Sequence, residues 1–291
     1  MALFQGDSLL IKSPRCTDPP KYGLLSVVDP VTPTDPHWQS GGIEWEDSLC
    51  GNTAVTFIDS CPPASGFDKP AERGLNFCKA DPFVALGSFD CSTVGRPANE
   101  AFEIARQRLL AWEQHQVENT LWTGLTANGT VTPSFAFGNP DCGILPVDIN
   151  ASGALNPVEA LSLLEETLGD EVACGGVIHI PYSVVAFLVS QHLLTNNGSD
   201  EYFSPTGFRV VAGHGYPGTG PANTPANAGE AWIFATGPLV AARSNVIMVP
   251  DQVKESINRN INSITVRAER FYAIGFSCTL LAVRATLTCA C

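Results

Sequence analysis

Charge, and positive charge above all, is what this sequence has least of. Only 15% of its 291 residues are Asp, Glu, Lys or Arg, where an ordinary globular domain carries roughly 25%. The 29 acidic residues outnumber the 16 basic ones and leave a formal charge of −13. A nucleic-acid surface needs clustered Lys and Arg. No basic patch with interleaved aromatics occurs along the chain, which argues against sequence-specific nucleic-acid binding. No apolar run approaches the roughly 20 residues of a membrane-spanning helix. The opening MALFQGDSLLIKSPR has a short apolar patch but no basic stretch before it, and makes a poor secretion signal. The expectation is a chain made in and released into a cytoplasm, with no membrane partner. With 44% apolar residues it can bury a sizeable core, and so little charge suits a surface hidden against copies of itself.

The signatures of catalysis are missing as well. There is no G-x-S-x-G elbow, no Walker loop, no EF-hand loop and no H-E-x-x-H. The histidines are His37, His115, His179, His192 and His214, and none forms a local ligand pair. His179, inside an apolar run, reads as a core residue with satisfied nitrogens. His115 and His192 read as surface or packing residues on helices, while His37, beside Trp38, and His214 lie in loops. Glu165-Glu166 and Asp170-Glu171 read as solvated helix ends. Gly213-His214-Gly215-Tyr216-Pro217-Gly218 matches G-x-G-x-x-G, yet a dinucleotide site needs a helix to start there. The chain continues Thr219-Gly220-Pro221-Ala222-Asn223-Thr224-Pro225, which cannot start one, so 213–229 reads as a flexible loop. Loops of that length are usually functional or interfacial. Ten cysteines (16, 50, 61, 78, 91, 142, 174, 278, 289 and 291) show neither CxxC nor zinc spacing. Buried thiols, disulfides formed after exposure outside the cell, and a metal site all remain open for them. No catalytic, cofactor-binding or metal residue is assigned, and the chain reads as no enzyme and as needing no cofactor.

What the sequence does contain is one long helix, PANEAFEIARQRLLAWEQHQVENTLWTG (97–124). Pro97 suits a first helical position, Glu100 favours the positive end of the helix dipole, and Gly124 sits where a left-handed cap is expected. At 100° per residue, Ala98, Ala101, Phe102, Ala105, Leu109 and Trp112 fall on one stripe. Leu110, Val117 and Leu121 fall on another. Two stripes imply two packing surfaces, and a Trp112→Ala change then costs about 3–5 kcal/mol if that ring is buried.

Around this helix the chain is Pro-rich and irregular over 1–40, apart from an extended run at Tyr22–Val28. Over 41–96 it alternates short β-like runs (Gly42–Glu46, Ala54–Ile58, Phe83–Phe89) with Cys, Gly and Pro, as a β excursion without a core of its own. Asn156-Pro157-Val158-Glu159 is a helix start with Asn as N-cap, for a helix to about Leu168. A strand at 175–180 runs into a helix at Tyr182–Leu194, and strands follow at Phe208–Ala212 and Ala231–Thr236. The end, Ser263–Leu287, is nearly continuous β.

This order resembles the major capsid protein fold of tailed phages, shared with encapsulin shells. Three stretches carry the resemblance: EAFEIARQRLLAWEQHQVENTLWTG (100–124), similar to the family's spine helix; GGVIHIPYSVVAFLVSQHLL (175–194), similar to its axial domain; and ITVRAERFYAIGFSCTLLAVRATL (264–287), similar to its closing strands. The resemblance implies an α+β fold. Its parts are an N-terminal arm (1–40), an extended β excursion (41–96), a peripheral domain (97–155 with 251–291) holding the spine helix 97–123, and an α/β axial domain (156–250). It implies a subunit that self-assembles, as hexamers and pentamers, into the icosahedral shell around a phage genome in a virion built in the host cytoplasm. Scaffolding, portal and decoration proteins are the implied partners. The subunit contacts it implies are Trp38, Trp45, Phe67, Lys69, Phe77, Lys79, Phe83 and Tyr216, with Phe102, Leu109, Trp112, Val117 and Leu121 packing the spine. The loop 213–229 would sit at the tip of the axial domain. Lys69 or Lys79 could supply a Lys–Asn cross-link, and cysteines of the excursion could link chains outside the cell. Other functions for the same residues are an encapsulin compartment, a tail or connector protein, and a hydrolase or metalloenzyme.

Overall fold

A computed structural model describes residues 21–47, 50, 76–92, 97–126, 129–130, 133–172 and 174–287. Two short helices come first, α1 (Leu24–Val27) and α2 (Trp38–Gly41), followed by strands β1 (Ile43–Asp47), β2 (Asn76–Ala80) and β3 (Phe83–Ser92). The long helix α3 (Ala98–Thr123) leads through β4 (Leu125–Thr126), β5 (Gly129–Thr130) and β6 (Val147–Asp148) to α4 (Pro157–Glu171). Then come β7 (Val177–Pro181), α5 (Tyr182–Ser190), β8 (Tyr202–Phe203), β9 (Arg209–Gly213), β10 (Glu230–Thr236), β11 (Leu239–Arg243) and β12 (Ile247–Val249). The chain closes with β13 (Ile257–Asn258), β14 (Ser263–Phe276) and β15 (Leu280–Thr286).

Two larger sheets organise these elements. The six-stranded sheet has the order β6-β15-β10-β7-β9-β8. The five-stranded sheet is built on β14, which pairs with β3 over ten residues on one side and with β11, β12 and β13 on the other. Strand β10 shows why the six-stranded sheet is buried on both faces. Trp232 and Phe234 belong to a core shared with α3, β3 and β14, while Ala231, Ile233 and Ala235 belong to a core under α4 and α5. Successive strand residues point to opposite faces, so an unbroken apolar run serves two layers at once.

The helix starts are largely those expected. Asn156 accepts hydrogen bonds from the backbone N–H groups of Val158 and Glu159, with Pro157 behind it. Gly124 closes α3 at φ +68°. Pro97 is the extended N-cap of α3, one step before the position expected for it. The extended run at Tyr22–Val28 contains α1 instead, since Val28 donates back to Leu24. The sheets also divide the chain differently from the ranges 97–155, 156–250 and 251–291. β11 and β12 join β14, whereas the final strand β15 lies beside β10.

The long helix does not carry two stripes. Ala101, Ala105, Leu109, Glu113, Val117 and Leu121 form one unbroken buried row at four-residue spacing. Each such step advances about 40° beyond a full turn, so the row winds around the helix. The helix rests on β3 and β14, and its last turns, with Thr120, Trp122 and Thr123 also buried, sink into the core. Leu109, Val117 and Leu121 are buried, and Phe102 is partly buried against the same core. Trp112 is not buried: it is 54% exposed, and Leu110 is exposed too. The large cost expected for Trp112→Ala therefore does not apply within the single chain.

Close contact between α3 and β3 depends on Gly87, where a Cβ would fall on the backbone of Ala105 and Leu109. Backbone cannot rotate aside, so Gly87→Ala should lower the unfolding free energy by about 1–3 kcal/mol as the helix is pushed off the sheet. Urea titration of the purified protein checks this.

Candidate assembly surface

Among the described residues, no group of three or more His, Cys, Asp or Glu is placed to hold a metal ion. No described helix is long and apolar enough to cross a membrane. His179 is fully buried, with Nδ1 3.0 Å from the Tyr216 hydroxyl and Nε2 3.1 Å from Thr236 Oγ1. Burial holds its pKa down to about 3. A neutral imidazole fixed at both nitrogens is a structural part, as its sequence setting implied. After Gly213 the chain forms no α-helix before β10, only a short 3-10 turn at Pro221–Asn223.

The loop 213–229 is not a free tip. Tyr216 is buried beside Trp122, their ring centres 4.7 Å apart. Trp122 Nε1 donates to the Thr219 carbonyl, and Asn223 Nδ2 donates to that of Thr123. The loop is packed along the end of α3.

The exposed face of α3 is more informative. Trp112, His115, Gln116 and Asn119 stand at i, i+3, i+4 and i+7, hence on one side of the helix. Beside them Val84 and Leu86 of β3 and Leu125 of β4 line an open groove of about 560 Å³ together with His115, Gln116, Asn119 and Thr120. None of these lining residues carries a carboxylate, on a chain whose net charge is −13. Aromatic and imidazole rings continue the strip: Trp112 to His115 at 5.5 Å, His115 to His214 at 5.1 Å, and His214 to Tyr182 at 5.4 Å. Burial, and then the neighbouring His214, lower the pKa of His115 and favour its neutral form.

Along this groove runs the edge of β3 that faces away from β14. Gln116 closes it like a short strand: its Oε1 accepts from Leu86 N at 2.8 Å, and its Nε2 donates to Leu86 O at 2.9 Å. Arg108 Nη1 donates to Ser88 O at 2.7 Å. Capping of this kind keeps an exposed edge from pairing indiscriminately with another chain.

The first two strands are pinned to the body. β1 and β2 pair as a two-stranded antiparallel ribbon. Disulfides Cys50–Cys278 and Cys78–Cys142 tie both sides of it to the body. These four cysteines are thus neither thiols nor links between chains, while Cys91 and Cys174 are free. Cys16, Cys61, Cys289 and Cys291 lie outside the described residues, as do Phe67, Lys69 and the run Ala54–Ile58.

Of the other residues expected at subunit contacts, Trp38 is buried against Ala242 and Ala273, and Tyr216 is buried as described. Both are spent on the chain's own packing. Trp45 donates from Nε1 to Ser277 Oγ, and Phe83 stacks on Tyr272. Phe77 is 64% exposed, and Lys79 lies 3.9 Å from Asp81. Sequence reasoning did not single out Gln116, Glu113 or Glu118, whose partners lie far away in the chain.

No protein-family description matches the chain, and no curated protein matches it. Solved structures do. One from Mycobacterium phage Ogopogo is 14% identical and matches over 97% of this chain and 98% of its own, with a TM-score of 0.51. The capsid of Ralstonia phage GP4 is 10% identical over 100% and 99% of the two chains, with a TM-score of 0.50. The capsid of a native GTA particle is 12% identical over 96% and 94%, also with a TM-score of 0.50. The chain has the tailed-phage major capsid fold. In the terms of that fold α3 is the spine helix.

Proposed function

We propose that this protein is the structural subunit of an icosahedral phage capsid, assembling as hexamers and pentamers around the genome. The observation that carries this reading is the capsid fold matched end to end by chains of similar length. The exposed, carboxylate-free strip on the spine helix supports it, because acidic copies repel one another least where neither presents an acid. The six-stranded sheet with α4 and α5 serves as the axial domain, and the spine helix with the five-stranded sheet as the peripheral one. Scaffolding, portal and decoration proteins are its partners, the virion is its location after assembly in the host cytoplasm, and it catalyses no reaction.

Electron microscopy of the purified full-length chain, alone and with the proteins encoded beside it, tests the reading. Closed icosahedral shells are expected; a chain that stays monomeric under both conditions sinks it. Trp112→Glu combined with Leu86→Glu places charge on the exposed strip without touching the buried row. The double variant should fold with little change in Tm and lose at least tenfold in shell yield by sedimentation. Full yield would mean that subunits meet elsewhere.

A further inference from the structure

The histidines of this chain differ in what their ring nitrogens meet. His179 has a hydroxyl at each nitrogen. His37 Nδ1 lies 2.6 Å from Asp35 Oδ1. His115 and His214 have no such partners: among the described residues nothing hydrogen-bonds to either ring. Solvent reaches both, His115 half-buried on the spine helix and His214 exposed just after β9. Yet the two rings, far apart in sequence, have their centres 5.1 Å apart and their planes at 67°.

Backbone contacts build this pairing. Gly215 sits against the helix so closely that a Cβ there would collide with the His115 carbonyl. Its N–H donates to Glu118 Oε2 at 2.7 Å, and the next residue, Tyr216, is buried beside Trp122. His214 is thus fixed between the end of β9 at Gly213 and a loop anchored on α3. His115 is fixed by the helix itself, between the buried Gln114 and Val117. Neither backbone has to travel for the rings to meet, and side chains carried on rigid elements are already placed for a shared ligand.

We propose that His115 and His214 form a two-imidazole site for a divalent transition-metal ion of the zinc class. Imidazole nitrogen binds Zn²⁺ at about 2.0–2.1 Å in a tetrahedral arrangement, which sets two ligand rings about 5 Å apart centre to centre. The observed 5.1 Å is that spacing, and the broad χ2 torsion of His lets each ring turn a nitrogen toward the shared point. Imidazole ligates in its neutral form, the form favoured for His115. Imidazole suits Zn²⁺, Cu²⁺ and Ni²⁺, whereas Ca²⁺ and Mg²⁺ require oxygen ligands. Two rings leave two tetrahedral positions to water, so the ion exchanges instead of being locked in as at a four-ligand structural site. The site lies on the strip read above as an assembly surface, but it belongs to the single chain and stands without that reading.

Calorimetric titration of Zn²⁺ into the full-length protein tests this, with free thiols first blocked by iodoacetamide so that cysteine cannot hold the ion. Saturable binding is expected. His115→Ala and His214→Ala should each weaken it by about tenfold or more, since losing even a supporting group around a metal costs about 10–100-fold. His192→Ala, which removes another exposed histidine, should bind as the wild type does. No saturable binding to the wild type overturns the proposal, and so does binding that survives both His115→Ala and His214→Ala unchanged. An equal loss in His192→Ala would mean that scattered surface imidazoles take the ion, and overturns it as well. Should His115→Ala not fold, His214→Ala, at an exposed position, carries the same test. Shell formation is not read here, so failure of this site and failure of the assembly reading are told apart.

Discussion

Trp122→Ala should lower the unfolding free energy of the isolated chain by about 3–5 kcal/mol, enough to leave little of it folded at physiological temperature. The ring is fully buried and lies at the centre of an aromatic cluster. Its centroid is 5.6 Å from Phe135, 4.9 Å from Phe234 and 4.7 Å from Tyr216. These partners come from the chain after α3, from β10 and from the 213–229 loop, so they are held in place by separate elements. They cannot close together over the space the ring leaves, and partial collapse is what makes large-to-small changes tolerable. The substitution also strands the Thr219 carbonyl that Nε1 now satisfies. Trp122→Phe keeps most of the volume and loses only the hydrogen bond, so about 1–2 kcal/mol is expected there. Equilibrium denaturation followed by near-ultraviolet dichroism separates the two. If Trp122→Ala costs no more than Trp122→Phe, the cluster is not the keystone of the core.

Trp112 and Trp122 show how much the sequence could say. Both are Trp on one helix, and apolar periodicity assigned the first to a core and overlooked the second. Periodicity assumes a straight stripe on a helix that lies on one surface. This helix lies on a sheet at one end and is engulfed at the other, and the residues that engulf it come from 135, 216, 219 and 234. No local pattern holds that information. The local chemistry was legible: Asn156 as a cap, Gly124 as a stop, His179 as a core residue, and the refusal of 213–229 to start a helix. The order of elements carried the fold, which is why a resemblance could be drawn at identities of 10–14%. The candidate surface was not legible. Gln116 matters through the backbone of Leu86, thirty positions earlier, and a side chain that pairs with backbone leaves no mark on the identity of its partner. The disulfides were open for a similar reason, since pairs separated by 228 and 64 positions are set only by the folded chain.

Arg270→Met should cost about 3–5 kcal/mol at neutral pH and regain part of that loss in acid. Arg270 Nη1 donates to both carboxylate oxygens of Glu113, at 3.0 and 2.7 Å, across the interface between the spine helix and β14. Both side chains are largely buried, and the Tyr272 hydroxyl lies 3.4 Å from the same carboxylate. Burial already raises the pKa of Glu113, while Arg270 first and then Arg243 oppose that rise. Removing Arg270 takes away the larger opposing influence, so the carboxyl in the folded variant is pushed further up. A carboxyl with a raised folded pKa costs stability once pH passes the unfolded value. The variant's deficit should therefore be largest above the raised value and shrink as acid protonates Glu113 in the folded state. Breaking a buried pair from one side is the costly case, because it leaves the other charge alone. Glu113→Gln with Arg270→Met removes both charges and should recover most of the loss at neutral pH, with no acid rescue left. A single variant whose deficit is the same at pH 5 and pH 8 would mean that Glu113 finds water or another cation when Arg270 is gone. The spine would then be held to β14 by apolar contact alone.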